Sequence, residues 1–359
     1  MSEYLEIIRT SFIFFPVIAF IFTIPYILFQ YHKYGSIYYF RVIIIYSFIL
    51  YLLTAYFLVI LPLPTIEEVV KLTTPRMQLV PFQFVSDFIR ETSFRITDIH
   101  TYLKALLEPC SYVVFYNLLL CLPFGVYLNY YFQKSFGKTL FYTFLLSLFF
   151  ELTQLSGLYF IYPRGYRLFD VDDLILNTLG GVIGYFVATI FMRVLPSRRK
   201  IDDKAYLLGQ KISFLKRGIV VSLDAFFSLL VFFFIYLSHI SFNYIYVYIF
   251  LYYFIIPIVL KGKTVSLWFL NMKIESKTGV LKWYQIWIRN FLWLFEWLGV
   301  FYLLLIVMIN ISSYSVIILL ILFLYYLVLW VKFITKKAFI YDRCSHTRLV
   351  STIQIHEED

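Results

Sequence analysis

Of the 359 residues in this chain, 62% are apolar, 22% are aromatic and only 14% carry a charge, which excludes a chain of ordinary soluble domains. The net charge of +10 does not indicate a nucleic-acid-binding protein, because Lys and Arg are scattered between apolar runs. The composition predicts an all-α, polytopic integral membrane helix bundle whose partners are membrane lipids, with basic loops that face anionic lipid.

The first residues, MSEYLEIIRT, carry two glutamates and lead into a full-length apolar segment. A cleavable signal peptide would instead begin with basic residues and a short apolar stretch. We therefore expect the first helix to remain in the protein.

Apolar segments long enough to cross a bilayer occur nine times. A hydrocarbon core of about 30 Å needs about 20 apolar residues at a helical rise of about 1.5 Å per residue. The predicted spans are 12–30, 42–61, 111–132, 139–157, 174–195, 218–240, 242–260, 291–309 and 312–331. They group into an N-terminal helix (1–37), a membrane module (38–195), a polar linker (196–216) and a second membrane module with a cytoplasmic tail (217–359).

The distribution of basic residues predicts how the spans are oriented. With the N-terminus outside, 23 of the 31 Lys and Arg residues fall in inner loops or in the tail. Positive charge is enriched on the cytoplasmic side of membrane proteins. We therefore expect a multi-pass cell-membrane protein with an external N-terminus and a cytoplasmic C-terminus.

The external segment 79–107 has apolar residues at helical spacing with charges between them. This pattern indicates one or two amphipathic helices that lie on the outer surface or pack over the bundle. An ordered external loop without a ligand is an equal alternative.

The span 139–157 places Ser147, Glu151 and Gln154 at positions i, i+4 and i+7 of one helix face. An ionised side chain in hydrocarbon costs about 2.5 to 3.5 kcal/mol on insertion scales, so this stripe must face the bundle or a water-filled cavity. Hydrogen bonding to neighbouring helices is the simpler explanation. Participation in a polar site is the other.

Three aspartates stand at the start of the next span, with Asn177 one turn inside. Asp170 can cap that helix, and the other two acids favourably meet the positive end of its dipole. Capping needs only one acid and does not explain Arg164 or Arg167. The cluster therefore indicates either an outward-facing polar pocket, in which Glu151 would pair with Arg167, or a purely structural arrangement. The predicted binding residues are Glu151, Gln154, Arg167, Asp170, Asp172, Asp173 and Asn177.

The second module repeats one arrangement. Arg217 and Asp224 are seven residues apart, nearly on one helix face, and Arg289 and Glu296 have the same spacing. We expect these four residues to neutralise one another between helices or to form a path for protons or ions.

No disulfide, zinc site or other cofactor is expected. The three cysteines have neither paired nor CxxC spacing, and the five histidines are dispersed. Asp170, Asp172 and Asp173 could hold a hard cation weakly, but a metal site is not predicted.

The first module resembles the VanZ-like family over about residues 38–190. The resemblance is carried by the segments YFRVIIIYSFILYLLTAYFLVILP, MQLVPF, NLLLCLPFGVYL from Asn117, ELTQ from Glu151, and FDVDDLILNTLGGVIGY from Phe169. It implies low-level resistance to the glycopeptide teicoplanin, by a mechanism that is not established.

The second module resembles the RDD family, which is named for one arginine and two aspartates. The resemblance is carried by Arg217, Asp224, Arg289, the loop KGKTVSLWFLNMKIESKTG and the tail segment YDRCSHTRLV. The loop departs from the family's Thr-x-Gly-Lys, because Thr264 is followed by Val, Ser and Leu. The resemblance implies a part in transport and adds the acid of the tail. The candidate ion-coupling residues are then Arg217, Asp224, Arg289, Glu296 and Asp342.

Three functions are compatible with these patterns. The preferred one is a cell-envelope protein that contributes to glycopeptide or envelope-stress tolerance through its polar pocket, which would take an amphiphilic envelope compound or a lipid-linked precursor. The alternative is a secondary transporter in which Asp224 and Glu296 carry coupling protons or ions. A membrane hydrolase or transferase with paired carboxylates comes last, since the sequence contains no evident Ser/His/Asp or Cys/His set.

Overall fold

The protein is described here from a computed structural model. The structure describes residues 2–239, 241, 243–309, 321, 324, 327, 331 and 339–353. Most of these residues are helical. Two compact units are present: Met1–Ile24 with Tyr39–Ile201, and Pro25–Tyr38 with Asp202–Asp359.

The first unit contains most of the long helices. In chain order its elements are α1 (Ser2–Tyr34), α2 (Tyr39–Ile60), α3 (Ile66–Val70), β1 (Met77–Gln78), α4 (Gln83–Glu91), α5 (His100–Leu106), α6 (Pro109–Tyr130), α7 (Phe136–Leu155), the left-handed turn α8 (Gly157–Phe160), β2 (Phe169–Asp170), α9 (Val171–Val194) and α10 (Arg198–Gln210). From Pro25 onward α1 belongs to the second unit, and so does α10 from Asp202 onward.

The second unit combines helices with a small sheet. Its further elements are α11 (Phe214–Leu237), α12 (Tyr244–Phe250), a π-helical turn (Leu251–Ile255), α13 (Ile256–Val259), α14 (Val265–Phe269), β3 (Met272–Ser276), α15 (Trp283–Ile309), α16 (Ile340–Cys344) and β4 (Thr347–Ser351).

Five helices of the described residues are long and apolar enough to cross a membrane, judged by length and composition. They are Glu6–Tyr34, Tyr39–Ile60, Pro109–Tyr130, Val171–Val194 and Leu215–Leu237, and they coincide with the predicted spans one, two, three, five and six. The protein is therefore a helical membrane protein.

The other four predicted spans are not confirmed. The span 139–157 corresponds to α7, whose polar side chains lower its mean hydropathy, and 242–260 corresponds to a shorter apolar helix, Tyr244–Val259. The span 291–309 lies in α15, where side chains after Glu296 are outside the described residues. The span 312–331 lies outside them except for four positions.

Close contact between α6 and α9 organises the first unit. Gly180 and Gly184 lie against the carbonyl oxygens of Leu118 and Leu122, and a Cβ added at either glycine would overlap that oxygen. Small residues four apart permit this approach of two backbones. Gly180 and Gly184 therefore form a small-residue face of α9 that packs on α6, the third predicted span.

Two short sheets correct the all-α prediction. Strand β1 pairs in parallel with β2, and β3 pairs antiparallel with β4. In β3, residues Met272, Ile274 and Ser276 are buried and alternate with partly exposed ones, as the two-residue period of a strand requires. These strands lie outside the predicted spans, where apolar length carries no information about secondary structure.

The external segment contains two short helices, as predicted. In α4 the apolar side chains of Val85 and Ile89 are exposed, and in α5 those of Leu103 and Leu106 are exposed. Both helices contact α6. An apolar face that is exposed beside membrane helices is typical of helices at a membrane interface.

Candidate functional site

Two predicted binding residues cap the end of α2. The last carbonyls of a helix have no partner within the helix. Gln154 Nε2 donates to the oxygen of Val59 at 2.9 Å, and Arg167 donates to the oxygens of Val59 at 2.9 Å and Leu61 at 2.7 Å. The guanidinium also meets the negative end of the helix dipole. Gln154 therefore bonds to a neighbouring helix, the simpler of the two explanations for its polar stripe, whereas the structural role of Arg167 was not predicted.

The loop before β2 also donates to backbone carbonyls at the end of α2 and between α3 and β1. Tyr166 donates through its hydroxyl to the oxygen of Ile60 at 3.1 Å, and Arg164 donates to the oxygens of Leu72 and Thr74. Burial raises the pKa of Tyr166 to about 12, although the neighbouring guanidinium acts in the opposite direction. This tyrosine therefore stays a neutral donor.

Asp172 attaches the external segment to α9. Its two carboxylate oxygens accept from the backbone amides of Phe82 at 2.6 Å and Phe84 at 2.9 Å, at the start of α4. Phe82 has a φ of 64°, in the left-handed region, and its side chain gives α4 no cap. The buried Asp172 thus supplies the cap for a helix that lacks its own.

Asp170 caps α9, as the sequence predicts. Its Oδ1 accepts from the amide of Asp172 at 2.8 Å, while its own amide donates to Glu151 Oε2 at 3.0 Å. Burial raises the pKa of the Asp170 carboxyl, against the effect of the hydrogen bond from Asp172. The predicted pair between Glu151 and Arg167 is wrong, because the guanidinium of Arg167 lies on the unpaired carbonyls of α2.

Below Asp170, polar residues of α7, α9 and α6 meet. Asn177 Nδ2 donates to Ser147 Oγ at 3.0 Å, and Ser147 in turn donates to the backbone oxygen of Asp173 at 3.4 Å. Asn117 of α6 donates through Nδ2 to the carboxylate of Asp173. The sequence analysis gave no role to Asn117, although an asparagine within an apolar span is itself a signal.

We name this set of residues the acid–amide cluster. Its members are Asn117, Ser147, Glu151, Asp173 and Asn177. Glu151 and Asn177 are each 3% exposed, and Asp173 is partly exposed. The described residues contain no group of three or more His, Cys, Asp or Glu side chains that could hold a metal ion.

In the second unit, the two predicted arginines meet at one aspartate. Arg289 donates to the carboxylate of Asp342, and Arg217 approaches its other oxygen at 3.5 Å. Arg289 also donates to Thr347 Oγ1 at 2.9 Å. Burial raises the pKa of the neighbouring Tyr341 to about 12, against the effect of Arg289. The expected pairing of the arginines with Asp224 and Glu296 is therefore corrected, since Asp342 is the acid within their reach.

Asp224 has hydroxyl partners. Tyr252 donates to its carboxylate at 2.6 Å, and the hydroxyl groups of Thr264 and Ser266 in the connecting loop lie near it. Ser266 is one of the residues that depart from the family loop, so the departure places a hydroxyl beside the acid. The partly exposed Glu296 lies on α15 close enough to influence Tyr341. The sequence analysis missed Tyr252, which lies in an aromatic-rich span without any distinguishing pattern.

Comparison with known proteins bears on the first unit. Residues 48–192 match the VanZ/LLP1 family model. This segment contains α6, α7, nearly all of α9 and the whole acid–amide cluster, which supports a VanZ-like module in this part of the chain. No RDD module is shown by this comparison. No curated protein matches the chain, and neither does any solved structure.

Proposed function

We propose that the protein is a nine-span cell-envelope membrane protein that contributes to tolerance of teicoplanin-type glycopeptides or related envelope stress. Its acid–amide cluster would bind an amphiphilic envelope compound from the outer side. The VanZ/LLP1 match is consistent with a membrane envelope protein linked to glycopeptide resistance, and the five apolar helices support the membrane location.

The main support for this site is a pair of acids whose carboxylates do not cap a helix. Asp170 and Asp172 cap helices, whereas Glu151 and Asp173 face each other from neighbouring helices within the polar cluster. Two nearby carboxylates repel each other, and burial adds a desolvation penalty. Hydroxyls and amides would join α7 to α9 without that cost. Retention of two acids therefore favours a ligand-binding role.

The test replaces each acid by its amide. Glu151→Gln and Asp173→Asn should abolish protection of cells against teicoplanin while the protein stays at its normal level in the membrane. Glu67→Gln is the matched control, because Glu67 lies on α3, is exposed and is far from the cluster residues in sequence. Unchanged inhibitory concentrations in both cluster variants, measured against protein level, would reject the proposed site.

A second candidate function concerns the second unit. Both arginines pair with Asp342. Among the residues that the structure describes, Asp224 has only hydroxyl partners. A buried carboxyl without a basic partner can bind and release a coupling proton. Reconstituted vesicles would then show solute uptake driven by a pH gradient, and Asp224→Asn would remove the dependence on the gradient. Uptake that is independent of Asp224 would exclude this role.

A further inference from the structure

We infer that the acid–amide cluster recognises a primary ammonium group carried by an amphiphile, an inference that rests on the proposed function. The acid–amide cluster contains more hydrogen-bond acceptors than donors. Asn117 Nδ2, Asn177 Nδ2 and the Ser147 hydroxyl each already donate within the cluster. The backbone amide of Asp170 is a further donor, to Glu151 Oε2. The acceptors are the two carboxylates, the Ser147 hydroxyl and the side-chain amide oxygens of Asn117 and Asn177. Each carboxylate can accept up to about four hydrogen bonds, so acceptors exceed donors.

Asn177 gives independent evidence for a ligand. Its Oδ1 is buried and accepts no hydrogen bond from any residue that the structure describes. Its Nδ2 is bonded to Ser147, which lies one turn before Glu151 on α7, while Asp173 lies one turn before Asn177 on α9. The Asn177 amide and its Ser147 partner therefore lie one helical turn from the two acids. A buried acceptor of this kind normally has a donor.

The chemistry of the group follows from these acceptors. A metal ion is not favoured, because the described acids do not gather into a metal-binding group. A sugar hydroxyl would satisfy Asn177 but would bring no positive charge to the two acids. Arg167 is near enough to act on Asp173, but its guanidinium donates its hydrogen bonds to the carbonyls of Val59 and Leu61. A quaternary ammonium would supply charge but no N–H for the amide oxygen. A primary ammonium supplies one positive charge and three donors.

The apolar surface beside the cluster indicates that the ammonium belongs to an amphiphile. Asp172, which precedes Asp173 in the chain, is bonded to the first residues of α4. From there Val85 and Ile89 present exposed apolar side chains. A headgroup at the acids would therefore have its alkyl chain next to an apolar helix face.

The test uses the full chain in phosphatidylcholine nanodiscs, whose lipid lacks N–H donors. Octylammonium, octyltrimethylammonium, octanol and ethylammonium are titrated by calorimetry. Octylammonium should bind at least about tenfold more tightly than the other three. Glu151→Gln, Asp173→Asn and Asn177→Leu should each weaken its binding by about tenfold or more, and Glu67→Gln should not change it. Thermal unfolding of each variant without ligand shows whether it is folded. One folded cluster variant is enough to test whether the cluster binds the probe.

Three results would overturn the inference. Equal binding of octyltrimethylammonium would mean that charge alone attracts the probe, and unchanged binding in the folded cluster variants would place the probe elsewhere. Equal binding of ethylammonium would identify a soluble amine and reject the amphiphile. The proposed function fails separately: if Glu151→Gln removes protection although octylammonium does not bind, only the ligand class is wrong. If octylammonium binds but Glu151→Gln cells stay protected, only the tolerance function is wrong.

Discussion

Asp172 accepts a 2.6 Å hydrogen bond from the backbone amide of Phe82, which lies 90 residues earlier in the chain. The bond joins the first turn of α9 to the start of α4. From the sequence, Asp172 is expected to be a favourable charge at the positive end of the α9 dipole and a candidate binding residue. Its partner shows that it also fixes an external helix, so the exposed apolar face of α4 starts directly beside the acids of the cluster.

Loss of this carboxylate should release α4. Asp172→Ala removes two hydrogen bonds to a charged acceptor, each worth about 1.5 to 3 kcal/mol. Amide hydrogen exchange over residues 82–91 should therefore become faster while exchange within α9 changes little. Asp87→Ala is the control, since Asp87 forms a partly exposed ion pair with Arg90, worth about 1 kcal/mol or less. Equal exchange of α4 in both variants would show that Asp172 does not hold this helix.

The contact between α6 and α9 can be tested with two glycines. Gly180→Ala places a methyl group on the carbonyl of Leu118, and such overpacking costs about 1 to 3 kcal/mol. Gly137→Ala in α7 meets no atom within 4 Å, and alanine is favoured over glycine in a helix by up to about 1 kcal/mol. The thermal midpoint should fall for the first variant and stay level or rise for the second. Equal midpoints would mean that α6 and α9 can move apart without a loss of thermal stability.

Features set by local sequence were predictable. Helix length follows from apolar length, and the cap at Asp170 and the small-residue face of α9 follow from spacing within one helix. The partner of Arg167 was not predictable, because the carbonyl of Val59 lies 108 residues away. The pattern of side chains along a sequence does not show which backbone carbonyls lack a hydrogen-bond partner. The guanidinium was therefore assigned to an acid of the predicted pocket, Glu151.

The same limit explains the second unit. Spacing along α11 and α15 shows that the two arginines repeat one arrangement, but it does not identify which acid they share. Asp342 is 125 residues from Arg217 and 53 from Arg289. The strands β3 and β4 that accompany α16 are five residues each, too short to stand out between long apolar segments.

Chemical labelling can test the predicted orientation. In a chain whose three cysteines are replaced by serine, Pro163→Cys and Arg199→Cys each create one exposed thiol. If 23 of the 31 basic residues lie inside, a membrane-impermeant maleimide added to intact cells should label position 163 and not 199. Permeabilised cells serve as the control for reactivity of both positions. Labelling of 199 alone in intact cells would reverse the topology.

The two arginines at Asp342 should contribute unequally to stability. The side chain of Arg289 is 6% exposed and also donates to Thr347, whereas that of Arg217 is 23% exposed and lies 3.5 Å from the acid. Removal of one partner from a buried pair costs about 3 to 5 kcal/mol, and a solvated pair contributes about 1 kcal/mol or less. Arg289→Gln should therefore lower the thermal midpoint of the detergent-purified chain, followed by tryptophan fluorescence, much more than Arg217→Gln. Asp342→Asn should resemble Arg289→Gln, because it leaves the same guanidinium without its charge partner. An equal loss from both arginine variants would show that Arg217 is as tightly coupled to the carboxylate as Arg289, against the distances.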